Sequence, residues 1–272
     1  MKVWLGTAGW SYLPDWLGTF YPAGTGAAET LTRYCEAFRF VEVDATFYAA
    51  PAHTTIERWA RIVPNTHRIA FKAPKELVQD TALRPPDVAF GHFCASLLDA
   101  LADRVAAIVV QMPPSFARTP DNELSLRVFV QQWGQQVPLA VELRHTSWRT
   151  ESTADLLSAS GVTWASNDLQ DVPGLGPGAH NTNRRAYVRL IGHHDGLSKD
   201  RIQRAQPSGR AWWRDRLLEF AASGTDHVYV VVNNHYEGHA PATLRTLAHE
   251  LSAAGLDVIA SSGWPDGQTS LF

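Results

Sequence analysis

Charged and amide side chains end several of the short apolar runs in this sequence. The set comprises Glu42, Asp44, Lys72, Gln111, Glu142, Arg144, Arg189 and Asn233. Lysine and arginine bind carboxylate and phosphate groups, and the arginine fork does so at two points. A carboxylate beside an arginine stays ionised, whereas one removed from water can hold a proton, so such acids serve in proton transfer. These residue types predict a site for a small anionic substrate, phosphorylated or sugar-like.

Each candidate side chain has a role that follows from its chemistry. The candidates for catalytic proton exchange are Glu142, Asp44 and Asp168. The candidates for substrate binding are Lys72, Arg144, Arg189, Gln111, Asn233, Glu42, His145, Tyr48 and Trp10. The pattern leaves the reaction open between hydrolysis and isomerisation. It also leaves open a purely structural role, in which the acids and arginines pair with one another and fix the strand register.

Strand-like runs alternate with segments of helical spacing along most of the chain. The runs are residues 3–6, 40–44, 68–72, 106–111, 138–144, 162–166, 186–192 and 227–233. The helical segments are residues 28–38, 54–62, 89–101, 124–133, 154–159, 212–222 and 242–251. This alternation indicates parallel strands joined by right-handed crossovers. In a chain of 272 residues it predicts an α/β fold, a (β/α)8 TIM barrel, whose active sites lie where the strands end.

Alternation within each strand decides which side chains face the barrel interior, because residues two apart share a face. Glu42 therefore shares a face with Asp44, and Glu142 shares one with Arg144. Charged groups inside a barrel are costly to bury alone. We expect them to pair, to bind ligand or to reach water at the barrel mouth.

One unit breaks the regular pattern. Residues 169–185 are rich in Gly, Pro and Asn, which predicts an irregular, helix-poor βα unit between strands 6 and 7. No repeat, low-complexity tract or linker divides the chain, so we expect one domain over residues 1–272. A short strand from Leu256 precedes a Gly/Pro-rich end, within a C-terminal tail of residues 255–272.

The bulk composition argues against several classes of protein. Hydrophobic residues make up 45% and charged residues 19%, an ordinary globular balance. The formal charge of −3 and the pI near 6.4 argue against a strongly basic nucleic-acid surface. Cys35 and Cys94 are too few and too far apart for a disulfide framework. Without a long apolar stretch or a signal peptide, we expect a cytoplasmic protein with no membrane segment.

Histidines in two predicted loops raise the alternative of a divalent metal. His193, His194 and Asp195 follow one strand, and His235 and His239 follow the next. Imidazole and carboxylate groups in adjacent loops suit zinc or manganese. The segment from His235 to His239 contains a glycine and follows a strand directly, so it does not predict a helical metal motif. Solvated loop histidines are the simpler interpretation, and we assign no metal ligand.

Several motifs together resemble the YecE-like family, the domain of unknown function DUF72. They are GTAGWSY at residues 6–12, VEVDATFY at 41–48, FK at 71–72, QMPPSF at 111–116, ELRHTSW at 142–148, YVRL at 187–190 and NN at 233–234. The resemblance runs through nearly the whole barrel. It implies a TIM barrel akin to the sugar-isomerase and endonuclease barrels, and it implies no particular reaction.

The chain departs from that family pattern at several positions. Asp44 stands where asparagine is usual, Ile191 replaces a histidine, and Gln79 with Asp80 replaces a Thr-His pair. Two histidine positions of the family are therefore absent. This difference indicates a subgroup with an altered substrate or one without activity.

The segment from Gln268 to Phe272 is similar to the short peptide that docks on the bacterial sliding clamp, Gln-Leu-Ser/Asp-Leu-Phe. Thr269 replaces the leucine of that pattern. An exposed Leu-Phe pair suits a hydrophobic groove on a partner, although folding back onto the barrel is a simpler explanation. The tail thus gives an alternative function, a DNA-associated accessory or nuclease-like protein recruited to the sliding clamp.

Overall fold

Parallel strands form the centre of the computed structural model, which describes residues 1–85, 87–194 and 196–259. The strands are β1 (Lys2–Ala8), β2 (Phe40–Val43), β3 (Arg68–Lys72), β4 (Val105–Gln111), β5 (Leu139–Glu142), β6 (Thr163–Trp164), β7 (Ser166–Leu169), β8 (Arg185–Gly192), β9 (His227–Val232) and β10 (Asp257–Ile259). β-branched and other apolar residues fill most of them, as suits strands that are buried on both faces.

The strands close into a ring in chain order. Each strand from β1 to β6 pairs with the next, and β7, β8, β9 and β1 continue the series. β6 and β7 are two parts of one strand, separated by Ala165, whose amide donates to the Val141 carbonyl at 2.8 Å. Because β6 pairs with β5 and β7 pairs with β8, this split strand joins the two ends of the sheet. The predicted parallel α/β barrel is confirmed.

Helices cover the outside of the ring. They are α1 (Thr30–Ala37), α2 (His53–Ile62), α3 (Lys75–Val78), α4 (Val88–Leu101), α5 (Pro120–Trp133), α6 (Glu151–Ala159), α7 (Pro207–Ala222), α8 (Asn234–Glu237) and α9 (Ala240–Ala253). Short 3-10 turns lie at Ala45–Phe47, Ala102–Arg104 and Thr146–Trp148. Each helical segment expected from apolar spacing is present with shifted ends. Residues 170–184, between β7 and β8, contain no helix, as their composition predicted.

Side-chain alternation separates two apolar layers. Outward residues such as Val41, Ile108 and Val188 pack beneath the helices in the larger cluster. A smaller cluster of alanines and a few aromatic rings lines the barrel interior, and it includes Ala70, Ala107, Ala140, Tyr187 and Tyr229. Toward the carboxyl ends of the strands the inward positions become polar. The barrel interior is therefore apolar in its middle and charged at the carboxyl ends of the strands.

The last described strand enters beside β1. β10 pairs with Lys2 to Trp4, while β2 pairs with Gly6 to Ala8 of the same strand, so the short strand expected from Leu256 is confirmed. A Cβ added to Gly6 would lie 2.2 Å from the Phe40 carbonyl oxygen, and glycine permits this close approach of β1 to β2.

The clamp-like segment from Gln268 to Phe272 lies outside the described residues. Among the helices that the structure describes, none has the length and apolar character needed to cross a membrane.

Candidate functional site

Arg189 on β8 is the centre of a buried polar cluster at the carboxyl end of the barrel. Its Nη2 and Nε atoms donate to both carboxylate oxygens of Glu42 on β2, at 2.8 and 3.0 Å. Its Nη1 atom donates to Gln111 Oε1 at 3.0 Å and to Glu142 Oε2. One guanidinium thus joins three strands that are distant in the sequence. Burial would lower the pKa of Arg189, but the charges of Glu42 and Glu142 raise it well above its usual value.

Glu142 connects this centre to a second arginine. Arg144 Nε donates to Glu142 Oε1 at 2.7 Å, and Arg144 Nη2 donates to Gln111 Oε1 at 2.8 Å. Burial alone would raise the pKa of Glu142, yet the charges of Arg144 and Arg189 lower it to about 2. The carboxylate is therefore ionised at neutral pH and is paired with two guanidinium groups.

Lys72 and Asp44 form an ion pair at the rim of the cluster. Lys72 Nζ lies 2.8 Å from Asp44 Oδ1 and 4.0 Å from the centroid of the Phe47 ring. Burial, followed by the Arg189 charge, lowers the pKa of Lys72. Burial opposes ionisation of Asp44, but Lys72 and Arg189 outweigh it and lower the pKa of Asp44. The charge of each member of the pair thus favours the charge of the other.

Exposure rises from the cluster centre to its rim. Glu42 and Glu142 have no exposed side-chain surface, whereas the side chains of Arg144 and Asp44 are 14% and 32% exposed. The six ionisable members carry three positive and three negative formal charges, so the cluster is internally balanced. This balance fits the structural role that the sequence left open, since buried ion pairs must be compensated. Arg144 and Asp44 are thus the charged members with the largest exposed fractions.

Two members of the cluster were not anticipated from the sequence. Tyr187 donates its hydroxyl to Glu42 Oε2 at 2.8 Å, and Asn167 Nδ2 lies 3.4 Å from Glu142 Oε1. Strand alternation could have found Tyr187, because it lies two residues before Arg189 on the same face of β8. Asn167 was less accessible to such reasoning, since the break at Ala165 obscures the alternation of its strand.

The structure does not bring Asp168 to the cluster. It lies next to Asn167 on β7 and therefore points to the opposite face. There its carboxylate accepts hydrogen bonds from Trp213 on α7 at 3.2 Å and from Gln170 at 3.5 Å. The structure thus separates Asp168 from the cluster, and its role in proton exchange stays a prediction.

The remaining predicted residues lie around the rim in local structural roles. Asn233 accepts a hydrogen bond from the His235 amide and caps the N-terminus of α8. His145 accepts one from the Ser147 amide and caps the 3-10 turn that follows it. Tyr48 is 80% exposed, and Trp10 packs edge-on against Trp59 at 6.1 Å between ring centroids. None of these four side chains has a hydrogen bond to the cluster among the contacts of the described residues.

The loop histidines surround Asp171, which lies in the loop after β7. His193 Nδ1 contacts one carboxylate oxygen of Asp171 at 2.8 Å, His194 Nδ1 contacts the other, and the rings of His194 and His235 lie 4.7 Å apart. His239 is instead buried against Trp16. Asp195 lies outside the described residues. Within the described ranges, no set of three or more His, Cys, Asp or Glu side chains is arranged to hold a metal ion.

Known structures share this architecture. A DUF72 family protein from Thermotoga maritima MSB8 superposes with a TM-score of 0.77 at 25% sequence identity, covering 93% of this chain and 100% of that one. A DUF72 family protein from Enterococcus faecalis V583 gives a TM-score of 0.70 at 19% identity, covering 92% of this chain and 98% of that one. The second likeness concerns the fold alone.

Sequence relatives extend the comparison. The chain is 25% identical over 264 residues to the UPF0759 protein YunF of Bacillus subtilis (strain 168), covering 88% of this chain and 90% of that protein. It is 27% identical over 143 residues to the UPF0759 protein YecE of Escherichia coli (strain K12), covering 53% and 48% of the two chains. The family model described as "Protein of unknown function DUF72" matches residues 4–269. The chain belongs to the DUF72 family, as its motifs had indicated.

Proposed function

We propose that the protein is an enzyme that binds a small anionic substrate, phosphorylated or sugar-like, at the carboxyl end of the barrel. The observation that carries this proposal is the Lys72–Asp44 pair at the rim of the cluster. Lys72 is held at 2.8 Å from Asp44, which is itself partly exposed. An anion that reached Lys72 from solvent would compete with Asp44 for the ammonium.

Displacement of Asp44 from Lys72 by the anion leaves Asp44 available for proton transfer. Lys72 and Arg144 hold the anionic group of the substrate, as lysine and arginine do elsewhere. Asp44, separated from its partner, loses much of what lowers its pKa and becomes a better proton acceptor. Proton transfer by Asp44 serves either an isomerisation or the activation of water for hydrolysis.

The deeper residues then have a positioning role. Glu142 has a pKa of about 2 and two arginine partners, so it orients Arg144 and does not carry protons. Glu42 orients Arg189 through two hydrogen bonds. Such fixed charges keep a site ready for its ligand without reorganisation. In this respect the proposal differs from our initial expectation that Glu142 exchanges protons.

Binding measurements on a panel of sugar phosphates and small carboxylates test the proposal. Lys72→Met is expected to weaken binding of the best ligand by about tenfold or more, because a charge-assisted contact is lost. Lys75→Met is the matched control, since Lys75 forms an exposed ion pair with Asp80 at 2.9 Å. Asp44→Asn is expected to retain binding and to abolish turnover. Equal affinities for Lys72→Met and Lys75→Met would refute the assignment.

The alternative, recruitment to the sliding clamp, is supported by the sequence of the tail alone. A pull-down with purified bacterial clamp would compare the full chain with the double substitution Leu271→Ala and Phe272→Ala. Recovery that falls with the substitutions supports docking. Equal recovery removes the recruitment hypothesis and leaves the barrel site unaffected.

A further inference from the structure

A cavity lies at the amino-terminal end of the barrel, opposite the polar cluster. Its volume is about 900 Å³, and the first residues of β3, β4, β5, β8 and β9 line it. Ligand pockets commonly have volumes of about 300–1,000 Å³. The cavity is therefore large enough for a small organic molecule, and it opens at the end of the barrel opposite the cluster.

Small residues explain why space remains inside the barrel. TIM barrels are normally filled by bulky branched side chains. Here Ala107 on β4 and Ala140 on β5 face the interior, and both line the cavity. The rings of Tyr187 and Tyr229 form part of the opposite wall. The volume that longer side chains would occupy in β4 and β5 is thus open from the amino-terminal end.

Cationic side chains dominate the lining of this cavity. Arg68, Arg184 and Arg185 contribute three positive charges, and Asp103 contributes the one negative charge. Arg184 is already paired with Asp226 by two hydrogen bonds at 2.6 and 2.8 Å. For Arg68 and Arg185, the part of the chain that the structure describes provides no carboxylate within salt-bridge distance. An uncompensated positive charge at a concave surface attracts anions.

Neighbouring groups orient Arg68 and His227 at this opening. Arg68 Nη1 donates to the His67 carbonyl at 2.9 Å, and its guanidinium carbon lies 5.1 Å from the Trp4 ring centroid. The Trp4 indole donates to His227 Nδ1 at 3.2 Å. Since an indole N–H is only a donor, Nδ1 must accept, and a neutral His227 carries its proton on Nε2. Burial, and then the charge of Arg185, lowers the pKa of His227, which is consistent with this neutral form.

We propose that this amino-terminal cavity is a second ligand site, in which Arg185, Arg68 and the Nε2–H group of His227 bind a small carboxylate or phosphate. The ligand is an anion because the lining offers cationic and neutral donors with one acid. It is small because the cavity volume of about 900 Å³ is that of a small-molecule pocket. The site does not depend on the proposed function at the other end of the barrel.

The inner wall of the cavity also contacts the carboxyl-end cluster. Tyr187 lines the cavity with its ring, while its hydroxyl donates to Glu42, the partner of Arg189. One residue therefore belongs both to the cavity lining and to the cluster.

Isothermal titration of the full chain with inorganic phosphate and, separately, with citrate tests the second site. Arg185→Gln is expected to weaken the cavity binding event by about tenfold or more, because a charge-assisted contact to the anion is lost. Arg33→Gln is the matched control, since it makes the same change of charge in an exposed pair with Glu36, at a position that does not line the cavity. Tighter binding of one probe identifies which of the two anionic groups the cavity prefers.

The outcomes separate this site from the one at the carboxyl end. Lys72→Met is expected to leave the Arg185-dependent event unchanged, whereas Arg185→Gln leaves the Lys72-dependent event unchanged. The inference is overturned if neither probe binds more tightly than about 1 mM. It is also overturned if Arg33→Gln and Arg185→Gln weaken binding equally, or if Lys72→Met removes the only event observed.

Discussion

Replacing Glu142 by glutamine tests the energetic account of the buried cluster. The substitution keeps the shape of the side chain and removes a carboxylate that has no exposed surface and two arginine partners. A fall in pKa from 4.5 to about 2 corresponds to about 3 kcal/mol of folding free energy at neutral pH. Removing one partner from a buried ion pair costs a similar amount, roughly 3–5 kcal/mol. We therefore expect Glu142→Gln to destabilise the protein by about 3 kcal/mol at pH 7.

The same reasoning predicts how this difference depends on pH. A carboxyl group with a lower pKa in the folded state stabilises the protein above its unfolded pKa, near 4.5, and that contribution disappears as the pH falls through about 2. At pH 3 the difference between wild type and Glu142→Gln should shrink to about 1 kcal/mol. The stability gap is thus largest near neutrality.

Urea unfolding followed by tryptophan fluorescence at pH 7 and at pH 3 measures both quantities. Glu36→Gln is the control, because Glu36 forms an exposed pair with Arg33 at 3.3 Å, and such surface pairs contribute roughly 0–1 kcal/mol. A Glu142→Gln effect no larger than that of Glu36→Gln would refute the account. An effect of the same size at both pH values would show that the lowered pKa is not its source.

Two further predictions concern the packing of the barrel. Gly6→Ala should lower the melting temperature strongly, since the new Cβ would lie 2.2 Å from the Phe40 carbonyl oxygen, whereas Gly26→Ala, with no atom within 4 Å, should have little effect. Similar losses for both variants in a thermal melt would contradict this. Burial raises the pKa of the Cys35 and Cys94 thiols to about 12, so neither should react with a disulfide reagent at pH 8 until the protein is unfolded. Rapid labelling of the folded protein would show that one thiol is accessible.

Much of the barrel could be predicted because its signals are local. Period-two alternation in β2 placed Glu42 and Asp44 on one face, and the structure brings both to the Arg189 cluster. The Gly, Pro and Asn content of residues 169–185 predicted a unit without a helix, which the structure has. The short helices α3 and α8 were missed, because a single turn leaves little periodicity to detect.

Predicting the candidate site was harder because its details depend on pairing. The sequence placed Asp168 among the proton-exchanging groups, yet the break at Ala165 sets the register of β7 so that Asn167, and not Asp168, faces the cluster. It also gave Glu142 a role in proton exchange, whereas two arginine partners lower its pKa to about 2. Neither the register nor the partners are encoded within a few residues of these positions.

The sequence by itself determined the alternation of strands and helices, the parallel barrel and the end of the barrel at which its acids and cations meet. These features follow from local periodicity and from the rule that parallel strands end on one face. Tertiary structure alone decided that Arg189 neutralises Glu42 and Glu142 and that the opposite end of the barrel is open. Both depend on side chains from strands far apart in the chain, and only closure of the ring sets the distances between them.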